Sequence, residues 1–254
     1  MTPPRLPLRP LLAVAVLALA SGCATVQPGA APVAVNPVDP WESWNRKVFA
    51  FNEAIDEAVL KPVAQAYRDV VPQMVRTGVS NFFGNIGDVW STANHFLQGK
   101  VGSGFEMGMR VLTNTLFGLG GLLDPATEMR LPRRSEDFGQ TLGVWGLPAG
   151  PYIVLPLLGP SSVRDTAGLP LDRYATMTSH VIDANAWAMT ALQLVNVRSE
   201  LLATTQLLTD VSLDKYSFVR DGYLSRRRDQ VYDGAPPLEK FDDEFADEPP
   251  KKGK

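Results

Sequence analysis

Asp39-Pro40-Trp41-Glu42-Ser43-Trp44-Asn45-Arg46-Lys47-Val48-Phe49-Ala50-Phe51-Asn52-Glu53-Ala54-Ile55-Asp56-Glu57-Ala58-Val59 is the stretch that decides the fold class. Trp41, Trp44, Val48, Phe51, Ile55 and Val59 recur at spacings of three and four, so they share one face of a helix. Arg46, Lys47, Glu53, Asp56 and Glu57 fall on the opposite face. Asp39-Pro40-Trp41-Glu42 has the chemistry of a helix start. Asp39 can accept from the Glu42 amide, Pro40 suits the first turn, and Glu42 can reach back. The spacing therefore predicts an amphipathic helix with an unusually aromatic stripe. Aromatic residues at helical spacing ordinarily form core.

The same period recurs in both directions from this helix. Val63-Tyr67-Val70, Ile86-Val89-Trp90-Ala93-Phe96-Leu97 and Val101-Phe105-Met109-Leu112-Leu116 follow it. Later come Trp187-Ala191-Leu194 running into Leu201-Thr205-Leu208, then Tyr216-Val219-Tyr223 before the basic triplet Arg226-Arg227-Arg228. Alternation of apolar and polar residues is scarce outside residues 152–158. The reading is a mainly α fold of short helices, with breaks expected at Pro62, Pro72, Gly84 and Gly99.

Upstream, Leu19-Ala20-Ser21-Gly22-Cys23 places the only cysteine of the 254-residue chain after an apolar run from Leu11 to Ala20 preceded by Arg5 and Arg9. That run is too short for a membrane span, which needs about 20 residues, and fits a secretory signal cleaved before a diacylated Cys23. The lone cysteine, once acylated, leaves no disulfide. Four segments follow: a lipoprotein signal at 1–22, the lipidated Cys23 with a Pro-rich tether at 23–38, a helical domain at 39–234, and an acidic tail at 235–254 expected to be disordered. The formal net charge of −3 speaks against nucleic-acid binding, which needs concentrated positive charge.

Catalytic patterns are scarce. His95 and His180 are the only histidines and neither opens an HExxH pattern. Gly102-Ser103-Gly104 lacks the frame of a GxSxG elbow, because Val101 and Phe105 flank it. Ser161-Ser162 before Arg164-Asp165 reads as a helix start after Pro160. Gly118-Leu119-Gly120-Gly121 lacks the remaining glycine and the Lys-Ser/Thr pair of phosphate loops. No metal or cofactor is expected. Val111–Leu123 and Phe138–Val163 contain no charged residue. The second tract carries Pro148, Pro151, Pro156 and Pro160, so it suits a buried or a bilayer-facing hairpin better than a spanning helix.

Blocks in a fixed order add a resemblance. Asp39-Pro40-Trp41-Glu42 with Phe49-Ala50-Phe51-Asn52, Lys61-Pro62-Val63, Ser80-Asn81-Phe82, Asn94-His95-Phe96-Leu97-Gln98-Gly99, Asn114-Thr115 with Gly120-Gly121, Phe138-Gly139-Gln140-Thr141-Leu142-Gly143 and Gly150-Pro151-Tyr152 make residues 39–234 resemble the MlaA (VacJ) lipoproteins. The resemblance implies an all-α, single ring-like bundle of short amphipathic helices with a Pro/Gly-rich hairpin, embedded in one leaflet. It implies a non-enzymatic protein in the periplasmic leaflet of the Gram-negative outer membrane, lipid-anchored and associated with trimeric porins. Its members remove mislocalised phospholipids from the outer leaflet through a polar channel and pass them to the periplasmic carrier MlaC. Candidate channel or structural-control residues are Phe49, Phe51, Asn52, Gly120, Gly121, Gly143, Gly146, Gly150 and Tyr152, with Cys23 the lipidation site. Two other readings stand beside it, an outer-membrane phospholipase and a passive porin-associated scaffold.

Overall fold

A computed structural model of the protein describes residues 36–176 and 186–237. The predicted signal at 1–22, Cys23, the tether through residue 35, His180 and the tail beyond residue 237 lie outside the described residues. The packed unit opens at Pro37.

This unit is mainly helical, as the periodicity predicts. Helix α1 (Glu42–Ile55), a π-helical turn at Asp56–Leu60 and α2 (Lys61–Val70) run on without interruption. The break expected at Pro62 is therefore absent. Proline lacks an N–H and its ring collides with the carbonyl one turn back. The widened turn accommodates both, with the Lys61 N–H reaching back to the Asp56 carbonyl. Val71-Pro72 does end the helix, and α3 (Gln73–Leu97) then passes straight through Gly84. That glycine gives room rather than a break: a Cβ there would lie 2.6 Å from the Arg133 guanidinium. Gly99, at φ +74°, turns the chain into α4 (Val101–Leu116), which packs along α3.

After the short α5 (Pro125–Glu128) and α6 (Phe138–Val144), the alternating segment forms an antiparallel hairpin. Strand β1 (Tyr152–Leu155) pairs with β2 (Gly159–Ser162), Tyr152 opposite Ser162 and Leu155 opposite Gly159. Helices α7 (Val163–Ala175), α8 (Ala186–Val211) and α9 (Lys215–Val231) complete the described chain. Ser162 is the expected helix start: its Oγ accepts from the Asp165 N–H at the head of α7.

Asp39 does not cap α1. That helix begins at Glu42, with Trp41 before it making no side-chain cap. Asp39 is instead fully buried and accepts from Asn45 Nδ2 at 2.8 Å, from the Tyr216 hydroxyl and from Arg220. Asn45 lies inward on α1, donating also to the Tyr152 carbonyl and accepting from the Val154 N–H. Two turns further on, Asn52 donates to the Leu155 carbonyl and accepts from the Leu157 N–H. Two asparagine amides thus satisfy the outer edge of β1 as a neighbouring strand would.

The distribution of polarity is inverted. Nine buried apolar residues stand against twenty buried polar or charged ones among the described residues, so the interior is mostly polar. On α4, Phe105, Met109, Leu112 and Leu116 are 53–71% exposed, while Gly104, Met107, Arg110, Thr113 and Asn114 face inward. On α1, Trp41, Trp44, Phe51 and Val59 point outward, and Asn45 and Val48 inward. The stripes predicted from spacing exist, but they do not form the core. Polar helix faces satisfy one another inside: Arg110 of α4 donates to Asp88 of α3 and to Asp124, and Asn114 donates to Asp124. A small apolar cluster of Val48, Tyr152, Val154 and Tyr216 lies between α1, the hairpin and α9.

The two uncharged tracts follow the same rule. Leu116, Phe117, Leu119, Leu122 and Leu123 of the first are exposed. In the second, Tyr152 and Val154 are core while Trp145, Leu147, Leu157 and Leu158 are exposed, so it is buried on one side and bare on the other. Among the described residues no helix is long and apolar enough to cross a membrane.

Candidate functional site

The polar interior holds several cavities that share walls. The largest, about 850 Å³, has one wall made by a single face of α9: Gly222, Ser225, Arg226, Asp229 and Gln230, continued by Asp233. The spacing of three and four puts these polar residues in line. Arg134, Ser135, Glu136 and Gln140 stand among the other lining residues. Ser135, Glu136, Gln140, Arg226 and Gln230 are shared with a neighbouring cavity of about 360 Å³. Asp137, Tyr223 and Arg227 link that one to a smaller cavity under the hairpin, where Leu155 and Leu158 contribute. Another, beside α3, shares Ser135, Glu136 and Asp137 and is lined also by Asp88 and Trp90.

Arg227 is the hub of these walls. Its guanidinium donates to both oxygens of Asp137, at 2.6 and 2.9 Å, and to both oxygens of Asp165, each at 2.9 Å. Tyr223, one turn earlier on α9, donates its hydroxyl to Asp165 at 2.6 Å. Asp137 also caps α6 by accepting from the Gln140 N–H at 2.8 Å. One cation therefore ties the heads of α6 and α7 to α9. Glycine is required where these helices meet: a Cβ on Gly139 would lie 2.7 Å from Asp165 and 2.9 Å from Arg227.

Burial opposes ionisation of Asp165, but the hydrogen bonds and charge of Arg227, with the Tyr223 hydroxyl, outweigh it and hold the carboxyl at about 2. A depressed folded pKa means that the stabilisation is complete above the unfolded value and is lost as pH falls towards the folded one. Between about pH 5 and pH 2, Asp165 is expected to cost the fold about 2 kcal/mol. Asp165→Asn should flatten that part of the acid-unfolding curve followed by circular dichroism in detergent. An unchanged acid limb would contradict the network. Glu136 behaves oppositely: burial raises it above the usual carboxylate range although Gln98 and Lys100 donate to it.

The residues singled out in the sequence divide into groups. Phe49 packs edge-on against Tyr216 with ring centroids 5.7 Å apart, and Tyr152 is fully buried beside Tyr216 and Tyr223. With Asn52 they form the contact between α1 and the hairpin, whereas Phe51 points outward, 52% exposed. Gly143 and Gly146 line a cavity of about 410 Å³ with Arg164 and Arg227. Gly146 and Gly150, at φ +95° and +68°, are the turns on either side of Leu147-Pro148-Ala149. Gly120 and Gly121 lie apart, in the turn after α4, where a Cβ on Gly121 would meet the Asn85 side chain at 2.7 Å. His95 is buried, with Nε2 3.1 Å from the Arg134 carbonyl, and lines none of these cavities.

Sequence reasoning missed Asp137, Asp165 and Arg227 as a unit. The triplet Arg226-Arg227-Arg228 was its one outward sign, because such a run on a helix turns its members to different faces. Arg227 turns into the Asp137–Asp165 cluster, while Arg226 lines the largest cavity.

Comparison with known proteins now has a geometry to meet. Residues 37–230 match the family model described as MlaA lipoprotein. The chain is 36% identical over 195 residues to the intermembrane phospholipid transport system lipoprotein MlaA of Escherichia coli (strain K12), covering 74% of this chain and 76% of that protein. The protein of the same name from Haemophilus influenzae is 31% identical over 202 residues, covering 77% of this chain and 80% of the relative. A solved structure from work on the structural basis for maintenance of bacterial outer membrane lipid asymmetry superposes with a TM-score of 0.66 at 36% identity, covering 76% of this chain and 98% of its own. On sequence, fold and length together, the chain belongs to the MlaA lipoprotein family.

Proposed function

We propose that the protein is an outer-membrane lipoprotein, anchored through Cys23, that takes mislocalised phospholipids out of the outer leaflet and passes them to a periplasmic carrier such as MlaC. The inverted polarity of the body carries this reading. Outward stripes such as Met109-Leu112-Leu116 suit an acyl-chain environment, and a polar interior suits the charged headgroup. Moving a charged headgroup through hydrocarbon unaided is expensive, and the polar side chains around Ser135–Asp137 and α9 would replace its water.

Transfer on this account breaks no bond. Residues that bind and orient are enough, and direction follows from the excess of outer-leaflet lipid and the affinity of the carrier. The helices would form a ring in the periplasmic leaflet, with the hairpin tip, Leu157 and Leu158, reaching into the acyl region. Gly146 and Gly150 would let the Leu147-Pro148-Ala149 turn move against the passage. A trimeric porin would seat on the outward apolar stripes.

A strain lacking the gene, and lacking other asymmetry systems, tests this with a membrane-impermeant amine reagent that counts surface-exposed phospholipid. The count should rise on deletion and fall again when the wild-type gene is returned. No rise on deletion would favour a passive scaffold. Lyso-lipid release that disappears in a His95→Ala, His180→Ala double variant would replace transfer by hydrolysis.

A further inference from the structure

The largest cavity, about 850 Å³, is of a size that holds a small polar ligand group, and its charges are not all satisfied. Arg134 on its wall pairs with Glu106, while Glu136 and Asp233 both pair with Lys100. Arg226 and Asp229 are the charged lining residues left with no ion pair or hydrogen bond to their side chains. They lie three residues apart on α9, and so on the same wall. Neighbouring Ser225, Gln230, Ser135 and Gln140 add neutral donors and acceptors.

One unpaired cation beside one unpaired anion is the complement of a zwitterion. Resting on the phospholipid-transfer reading, we infer that this cavity receives the headgroup of a zwitterionic phospholipid, its phosphate on Arg226 and its ammonium on Asp229. A guanidinium presents a planar fork to phosphate oxygens, and a carboxylate accepts from an ammonium. A phosphoglycerol headgroup, with a phosphate and no cation, would satisfy Arg226 and leave Asp229 unpaired beside a second negative charge. The cavity therefore selects by charge pattern as well as by size. Phosphoethanolamine is favoured over phosphoglycerol, and discrimination resides in Asp229 while Arg226 serves both.

The full-length protein, purified in detergent, would be incubated with vesicles holding equal amounts of phosphatidylethanolamine and phosphatidylglycerol, and bound lipid extracted and weighed by mass spectrometry. Wild type should enrich phosphatidylethanolamine about fivefold, the scale of one partly solvated ion pair. Asp229→Asn should bring the two lipids to parity with total uptake kept. Arg226→Gln should lower the uptake of both, and Arg226→Lys should restore it. Both side chains are exposed on the cavity wall, and circular dichroism verifies that each variant keeps its helices. Equal binding of the two lipids by wild type, or an unchanged ratio in Asp229→Asn, overturns this assignment and leaves lipid transfer standing. Uptake of neither lipid by wild type overturns both.

Discussion

Arg110→Met is expected to lower the thermal midpoint in detergent by about 10 °C, the consequence of losing about 3–5 kcal/mol from a body of this size. The side chain is 1% exposed and every donor is used. Nε donates to Asp88 at 3.2 Å, Nη1 to Thr127 and to the Leu131 carbonyl, and Nη2 to Asp124. Methionine fills a similar volume but leaves Asp124 without its cation and the Leu131 carbonyl without its donor. Burial already pushes the Asp88 carboxyl up, against the pull of Arg133 and Arg110, so removing one of those arginines strands a charge. Arg133, 32% exposed in its side chain, also reaches Asp88, and Arg133→Gln should cost much less because water can replace it. Equal melting of both variants would show that Arg110 does not organise the interior between α3, α4 and α5.

The second large effect lies on the other face of the same helix. In a Cys23→Ala background, with delivery to the periplasm by a replaced signal, the body should remain with the outer membrane. Adding Met109→Glu, Leu112→Glu and Leu116→Glu should release it into the soluble fraction. These side chains are 53%, 55% and 71% exposed, so they contribute little to packing. Each charge placed in the acyl region costs about 3 kcal/mol, and three of them exceed what a peripheral contact supplies. Helicity should survive, since the inward face of α4 is untouched. A triple variant that stays membrane-bound would show that the stripe does not meet lipid. Loss of the Cys23→Ala protein to the soluble fraction would show that the anchor alone retains it.

Spacing made the helices legible and their direction illegible. A period of three and four states which residues share a face of α1 or α4, but the face turned inward depends on the surroundings and on distant partners. The polar faces succeed inside only because they meet: Arg110 finds Asp88 across 22 positions, and Arg227 finds Asp137 and Asp165 across 90 and 62. No local pattern announces such a pairing. Gly-Pro-Ser-Ser at 159–162 does not look like a strand either, yet the turn at Pro156–Leu158 lays it beside Tyr152–Leu155. Pro62 misled for a different reason. A proline blocks a regular turn, and the chain kept its helix by widening that turn at Asp56–Leu60. The segment that resembles the family was nevertheless readable almost to its ends, because Asn45, Asn52 and Gly139 are needed where helix, hairpin and charge cluster touch.

Orientation in the bilayer is what the account stands on, and nitroxide accessibility measures it most directly. In a Cys23→Ala background, single cysteines at Leu112, Leu116 and Phe105 would be spin-labelled after reconstitution into phospholipid vesicles, with Ser225 on the α9 wall as the inward comparison. The account predicts that labels at 105, 112 and 116 are relaxed by dissolved oxygen and shielded from a water-soluble nickel chelate, while the label at 225 shows the reverse. Nickel reaching the α4 stripe as readily as position 225 would contradict a body with lipid outside and polar space within.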